Sequence, residues 1–108
     1  MGVDKYSENI IIPESTNKVF EICINIIKKM FYNVQYINEE KTFLVAKNVS
    51  ANFGPAGVII IIDAENEDPD KTKLIITSTN LTDVTVNFNR NVKTVNKLIK
   101  KLNKEFTI

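Results

Sequence analysis

The sequence predicts an α+β domain in the order strand, helix, four strands, helix, with a curved antiparallel sheet packed against two helices. Three observations carry this expectation. Two stretches, one toward each end of the chain, repeat apolar residues at helical spacing. Between them lie short β-branched runs bounded by turn residues. No linker, internal repeat or low-complexity tract interrupts the 108 residues, so 1–108 reads as one domain, long enough to bury a core without disulfide or metal support.

The first strand is expected over Tyr6 to Ile12, whose Ile10-Ile11-Ile12 run stops at Pro13. Ser15 is placed to cap a helix over Thr16 to Phe31, its hydroxyl accepting from a backbone N–H that has no partner within the first turn. At 100° per residue, Val19, Cys23, Ile26, Ile27 and Met30 share one stripe, widened by Phe20, Ile22, Ile24 and Phe31. A stripe this wide implies burial on more than one side. Asn33 is the expected helix stop. Val34, Tyr36 and Ile37 form a second strand, Asn38 to Lys41 a polar turn, and Thr42 to Lys47 a returning third strand. A glycine-bearing loop over Ser50 to Gly57 leads to Val58–Ile62, the continuously apolar run expected at the centre of the sheet. Asp63 to Lys71 reads as an acidic turn and Leu74 to Thr79 as the fifth strand. Leu81 to Val86 reads either as a short sixth strand or as a connection. The last helix is expected over Phe88 to Phe106, with Val92, Val95, Leu98, Ile99, Leu102 and Phe106 facing the sheet.

Composition narrows the function classes. The net charge of +1 points to no partner by itself. Cys23 is the sole cysteine, so no internal disulfide can form. The opening residues Met1-Gly2-Val3-Asp4-Lys5 have no apolar core of the kind a secretory leader needs, and a reducing cytoplasm is the expected location. No apolar run approaches the roughly 18–20 residues of a membrane helix. The abundance of Ile, Asn and Lys matches AT-rich codon usage, as in a low-GC bacterium. Histidine is absent, which removes Ser–His–Asp and Cys–His catalysis and the usual proton carrier at neutral pH. The expectation is a protein that is not an enzyme, with no catalytic residue, no metal site and no cofactor.

The element order, with Ile12-Pro13-Glu14-Ser15 leading into Val19-Phe20 and Asn89-Arg90-Asn91-Val92 opening the last helix, resembles small uncharacterised bacterial domains of the TATA-box-binding-protein-like fold group, which takes in helix-grip domains of the START type. The resemblance implies a curved sheet gripping a long C-terminal helix. It implies no single activity, because that fold group hosts DNA binding, lipid binding and catalysis.

Several features invite sharper readings. Cys23 falls in the most apolar stripe of the first helix and reads as an inert core thiol. The Asp63-to-Asp70 segment has the carboxylates a calcium loop needs. However, Asp68 stands where such a loop requires glycine and Leu74 where it requires glutamate, so a solvated turn is the better reading. The Asn52-to-Gly57 loop lacks the Lys-Ser/Thr of a phosphate-binding loop and precedes a strand rather than a helix. Its aromatic residue Phe53 is a candidate contact for a partner. On the last helix Arg90, Lys93, Lys97, Lys100, Lys101 and Lys104 occupy about a third of the circumference, a possible anion-binding face. With one arginine and no interleaved aromatics it is better read as the solvated back of the helix, and tight duplex DNA binding is not expected.

The sheet gives the last clue. A sheet with one wet face alternates apolar and polar residues, and Val58–Ile62 does not. Ile60 and Ile61 point to opposite faces, so both faces of the middle strands are apolar. If both helices cover one face, the other is free to meet a second copy, another protein or an apolar ligand, unless the chain's own loops cover it. The expected function is therefore an interaction module that self-associates through its sheet, with Ile60, Ile61 and Phe53 as candidate surface residues. The alternatives are a binder of a small apolar ligand or lipid between sheet and C-terminal helix, and weak nucleic-acid binding by the basic helix face.

Overall fold

The computed structural model describes residues 5–48, 57–80 and 90–106. The elements run β1 (Lys5–Ile12), α1 (Thr16–Lys29), β2 (Asn33–Ile37), β3 (Phe43–Asn48), β4 (Val58–Asp68), β5 (Lys71–Asn80) and α2 (Arg90–Phe106). The fold class is the expected one: an open five-stranded sheet with two helices. Strand order is β1-β5-β4-β3-β2, every neighbouring pair antiparallel. The chain starts at one edge, crosses the sheet through α1 to the other edge, and meanders back until β5 lies beside β1.

One face of the sheet carries the core. Ile12, Leu44, Ala46, Ile60, Ile62, Leu74 and Ile76 point inward with no exposed area. From α1 they meet Val19, Phe20, Cys23, Ile26 and Ile27, and from α2 Val95, Leu98 and Leu102. The α2 face thus matches its periodicity for five of the six expected residues, with Ile99 and Phe106 packed against the core from its margin, while Val92 is half-buried and outside the core cluster.

Four local expectations need correction. The acidic segment is not a long turn. β4 continues to Asp68, pairing Ala64 with Leu74, Glu65 with Lys73 and Asn66 with Thr72, so the turn shrinks to the residues around Pro69. Alternation survives there, with Ala64 buried and Glu65 exposed, and the backbone ladder with β5 outweighs the weak strand propensity of Asp, Asn and Glu. Ser15 occupies the N-cap with extended backbone, but its hydroxyl makes no capping bond.

The end of α1 holds the other two. Phe31 does not widen the apolar stripe of α1, and Asn33 is not its stop. The helix ends in a Schellman turn: the Phe31 N–H donates to the Lys28 carbonyl at 3.0 Å and the Tyr32 N–H to the Ile27 carbonyl at 3.1 Å. This puts Phe31 in the left-handed region at φ 66° with 86% of its surface exposed, while Tyr32 turns back into the core against Ile27.

The turn between β2 and β3 is held by Asn38, whose Oδ1 accepts from the backbone N–H groups of Thr42 at 2.7 Å and Phe43 at 2.9 Å. Phe53 and the Leu81–Val86 segment lie outside the described residues.

Candidate functional site

Three places can be weighed as sites: the second face of the sheet, the basic side of α2, and the first turn of α2.

The face away from the helices follows directly from register. One row across it reads Ser7, Thr77, Ile61, Val45, Tyr36. The next on one side is Lys5, Thr79, Ile59, Lys47, Asn33, and on the other Asn9, Ile75, Asp63, Phe43. Ile59, Ile61, Ile75, Val45 and Phe43 are half-buried by their neighbours, and Tyr36 is exposed. Tyr36 and Phe43 meet edge to face, with ring centroids 6.3 Å apart. None of these six residues belongs to the core or packs against it, and among the described residues neither helix covers this face. Ile61 therefore stands where the open-face reading needs it. Ile60 does not: it is fully buried on the helix side between Ala46 and Ser78, so it is withdrawn as a surface residue.

The charges of this face are sorted by end. Lys5 and Lys47 lie in the outer row on one side of the Ile61 row. Asp63 lies on the other side, with Glu65 beyond it beside Lys73.

On α2, Lys93, Lys97, Lys100, Lys101 and Lys104 are exposed. Lys101 and Lys104 join Lys29, Ile26 and Glu105 around a groove of about 350 Å³ between the C-terminal ends of the helices. A second groove, about 510 Å³, runs between α1 and the β2–β3 turn, lined by Phe20, Ile24, Ile37, Asn17, Glu21 and Lys41. Arg90 departs from the lysine stripe. Its residue is half-buried, and its Nε and Nη2 atoms have no exposed surface.

The first turn of α2 is polar inside. Asn91 is fully buried: its Oδ1 accepts from the Ser78 hydroxyl at 2.8 Å and its Nδ2 donates to Asn80 Oδ1 at 3.1 Å. The Thr94 hydroxyl donates to the Arg90 carbonyl at 2.8 Å. Tyr32 lies alongside. Burial pushes its phenol above the ordinary value, while hydrogen bonding to Thr94 and Asn48 and the charge of Arg90 pull the other way. This cluster was missed by reading the sequence for charge stripes. A signal for it existed: Asn91, Val95, Leu98 and Leu102 share one helical stripe, and a lone asparagine on an apolar stripe implies a buried hydrogen bond.

Cys23 is fully buried and its thiol is pushed up to about 12 by desolvation alone, which leaves essentially no thiolate at neutral pH. Where α2 packs over β1 and β5, Ile12, Leu74, Ile76, Leu98 and Leu102 have no exposed area, so side chains fill that part of the contact. No helix of the described residues is long and apolar enough to cross a membrane.

No protein-family model and no curated protein matches the chain. Among solved structures, an uncharacterised protein from Bacillus thuringiensis aligns over 96% of this chain and 99% of its own, with a TM-score of 0.67 and 13% identity. A START superfamily protein from Mycobacterium smegmatis covers 91% of this chain and 92% of its own at a TM-score of 0.43 and 9% identity. The Zhui aromatase/cyclase of a Streptomyces species covers 95% and 86% at 0.38 and 9%. The last two overlap too loosely to carry an argument, and the first speaks for the fold alone: the chain is similar, along nearly its whole length, to an uncharacterised bacterial protein with the same arrangement of sheet and helices.

Proposed function

We propose that this chain is a non-enzymatic interaction module that pairs with a second copy of itself through the open face of its sheet. The observation that carries the reading is the block of six apolar side chains, Tyr36, Phe43, Val45, Ile59, Ile61 and Ile75, on the face that neither helix covers. The three rows, with Ile11, Lys73 and Glu65 in a shorter row beyond them, hold seventeen outward residues spaced about 4.8 Å by 6.8 Å, roughly 550 Å² of flat area, which side-chain relief raises toward the ~800 Å² per partner of a stable interface. Charge favours a second copy as the occupant. A two-fold axis along the Ile61 row sets the Lys5 and Lys47 end of one protomer against the Asp63 and Glu65 end of the other, and two-fold pairs dominate homo-oligomers.

Binding of an apolar ligand between sheet and α2 has less support, because Ile12, Leu74, Ile76, Leu98 and Leu102 already fill the described part of that contact. Nucleic-acid binding rests on five exposed lysines alone and has less still.

Sedimentation equilibrium of the unmodified chain and of Ile61→Lys tests the proposal. The unmodified chain sediments as a dimer at tens of micromolar. Ile61→Lys keeps the same circular dichroism but dissociates at least ~100-fold more readily, because the two-fold places two ammonium groups in one apolar contact. A monomeric unmodified chain at about 100 μM would overturn the reading and leave this face to solvent or to residues 49–56 and 81–89.

A further inference from the structure

We propose that the end of the molecule where α1 and α2 finish docks on an anionic membrane surface, with Phe31 entering the headgroup boundary and Lys28, Lys29, Lys101 and Lys104 meeting the lipid charge. The helices lie on the opposite side of the sheet from the open face, so this docking does not depend on self-association.

Phe31 is the residue that calls for an explanation. It leaves 86% of its surface in water, the most exposed large apolar side chain among the described residues. It also holds the left-handed region at φ 66°, which glycine or asparagine occupies more easily. The residue is therefore unfavourable twice over in the isolated fold, once through its backbone and once through its ring. Strain of this kind clusters where a function needs the side chain.

The charge around Phe31 selects the partner. Phe31 follows Lys29 by two residues, so their Cα atoms are at most about 7 Å apart. Lys29, Lys101, Lys104 and Glu105 line the groove between the helix ends, and the neighbouring Lys28 is exposed. Among the described residues Lys18 pairs with Glu14 at 3.3 Å, whereas these four lysines enter no ion pair. Four ammonium groups against the one carboxylate of Glu105 leave a net charge of +3. The carbonyl ends of the two helices carry about half a unit of negative partial charge each and offset roughly one of the three. Neutralising the helix ends thus accounts for part of the cluster and for none of the exposed ring. A soluble anion would likewise satisfy the lysines and leave Phe31 in water. A bilayer with acidic lipid takes both. Its surface potential attracts the ammonium groups, their apolar stems lie along the interface, and the ring leaves water at the acyl boundary.

Vesicle flotation of the unmodified chain tests this, with phosphatidylcholine vesicles carrying about 30% phosphatidylglycerol and pure phosphatidylcholine vesicles for comparison. The expected result in about 100 mM sodium chloride is half-binding near about 1 mM acidic-vesicle lipid, release at about 500 mM salt, and no binding to pure phosphatidylcholine. Phe31→Gly relaxes the backbone and keeps the fold, so its expected loss of about 10-fold in binding reads the ring alone. Lys29→Gln combined with Lys101→Gln should weaken binding roughly 25-fold, about fivefold for each charge. An unmodified chain that stays unbound at about 5 mM acidic-vesicle lipid overturns the proposal, and so does equal binding to pure phosphatidylcholine. Phe31→Gly that floats as well as the unmodified chain also overturns it, since that is the behaviour of lysines reading a soluble polyanion.

Discussion

Truncating Asn91 to alanine tests whether the first turn of α2 is fixed by hydrogen bonds rather than by packing alone. Asn91 and Ser78 both have no exposed area, and the bond between them is 2.8 Å long. Asn91→Ala removes that bond and the 3.1 Å bond to Asn80, each worth about 1 kcal/mol net. It also strands the Ser78 hydroxyl in a dry setting, at a further cost of about 1–3 kcal/mol, part of which an entering water recovers. The expected loss is about 2–4 kcal/mol, a large share of the 5–15 kcal/mol typical of a domain. Equilibrium unfolding in urea reads it as a lower midpoint at unchanged slope. Ser78→Ala and the double variant complete a cycle in which the two losses fall short of adding by about 1–2 kcal/mol, because the second change removes the stranded hydroxyl. A loss below about 0.5 kcal/mol for Asn91→Ala, or strict additivity, would refute the reasoning.

Two further outcomes follow from burial and backbone geometry. Leu102 has no exposed area and sits where α2 meets the sheet, so Leu102→Ala should lower stability by about 2–5 kcal/mol in the same urea assay, and a loss under about 0.5 kcal/mol would mean that α2 packs by another face. Phe31 is held at φ 66° with its ring in solvent, a conformation that costs a residue with a Cβ about 1–2 kcal/mol, so Phe31→Gly should raise the thermal midpoint, and a lowered midpoint would show that the ring makes a contact worth more than that strain.

Much of the fold was legible because periodicity and turn chemistry agreed. The stripe of Val95, Leu98 and Leu102 gave the buried face of α2, and the β-branched run of Val58–Ile62 gave a strand at the middle of the sheet. Alternation also told that Ile60 and Ile61 face opposite ways. It could not tell which face the helices take, because both faces of β4 carry isoleucine there, and only tertiary packing breaks that symmetry. The end of β4 was misread for a different reason. Composition from Asp63 to Asp68 is that of a turn, but Ala64 between Asp63 and Glu65 keeps the period of two that a long hairpin needs. Phe31 was misplaced because an apolar residue at the right angle looks like a continued stripe. The left-handed position at a helix end favours glycine, and nothing local announces that phenylalanine occupies it.

The site at the head of α2 was the least legible part, and β5 shows why. Its inward residues run Thr72, Leu74, Ile76, Ser78, Asn80: apolar in the middle and polar at both ends. Each polar end holds the start of a helix. At one end the fully buried Thr72 hydroxyl donates to the Glu14 carbonyl at 2.8 Å and lies 3.1 Å from the Thr16 hydroxyl, where α1 begins. At the other, Ser78 and Asn80 hold Asn91, where α2 begins. Both pairings join residues far apart in sequence or across the 81–89 connection, so neither can be read from local pattern. Together they make β5 the strand that positions both helices on one face. The orientation of the first turn of α2 is then set by the bonds of Asn91 to Ser78 and Asn80 of β5. A charge counted on a helical wheel belongs to the solvated face only when its neighbours leave it there. Arg90, one residue before the buried Asn91, is half-buried with no exposed surface on Nε and Nη2, although the wheel groups it with the exposed lysines.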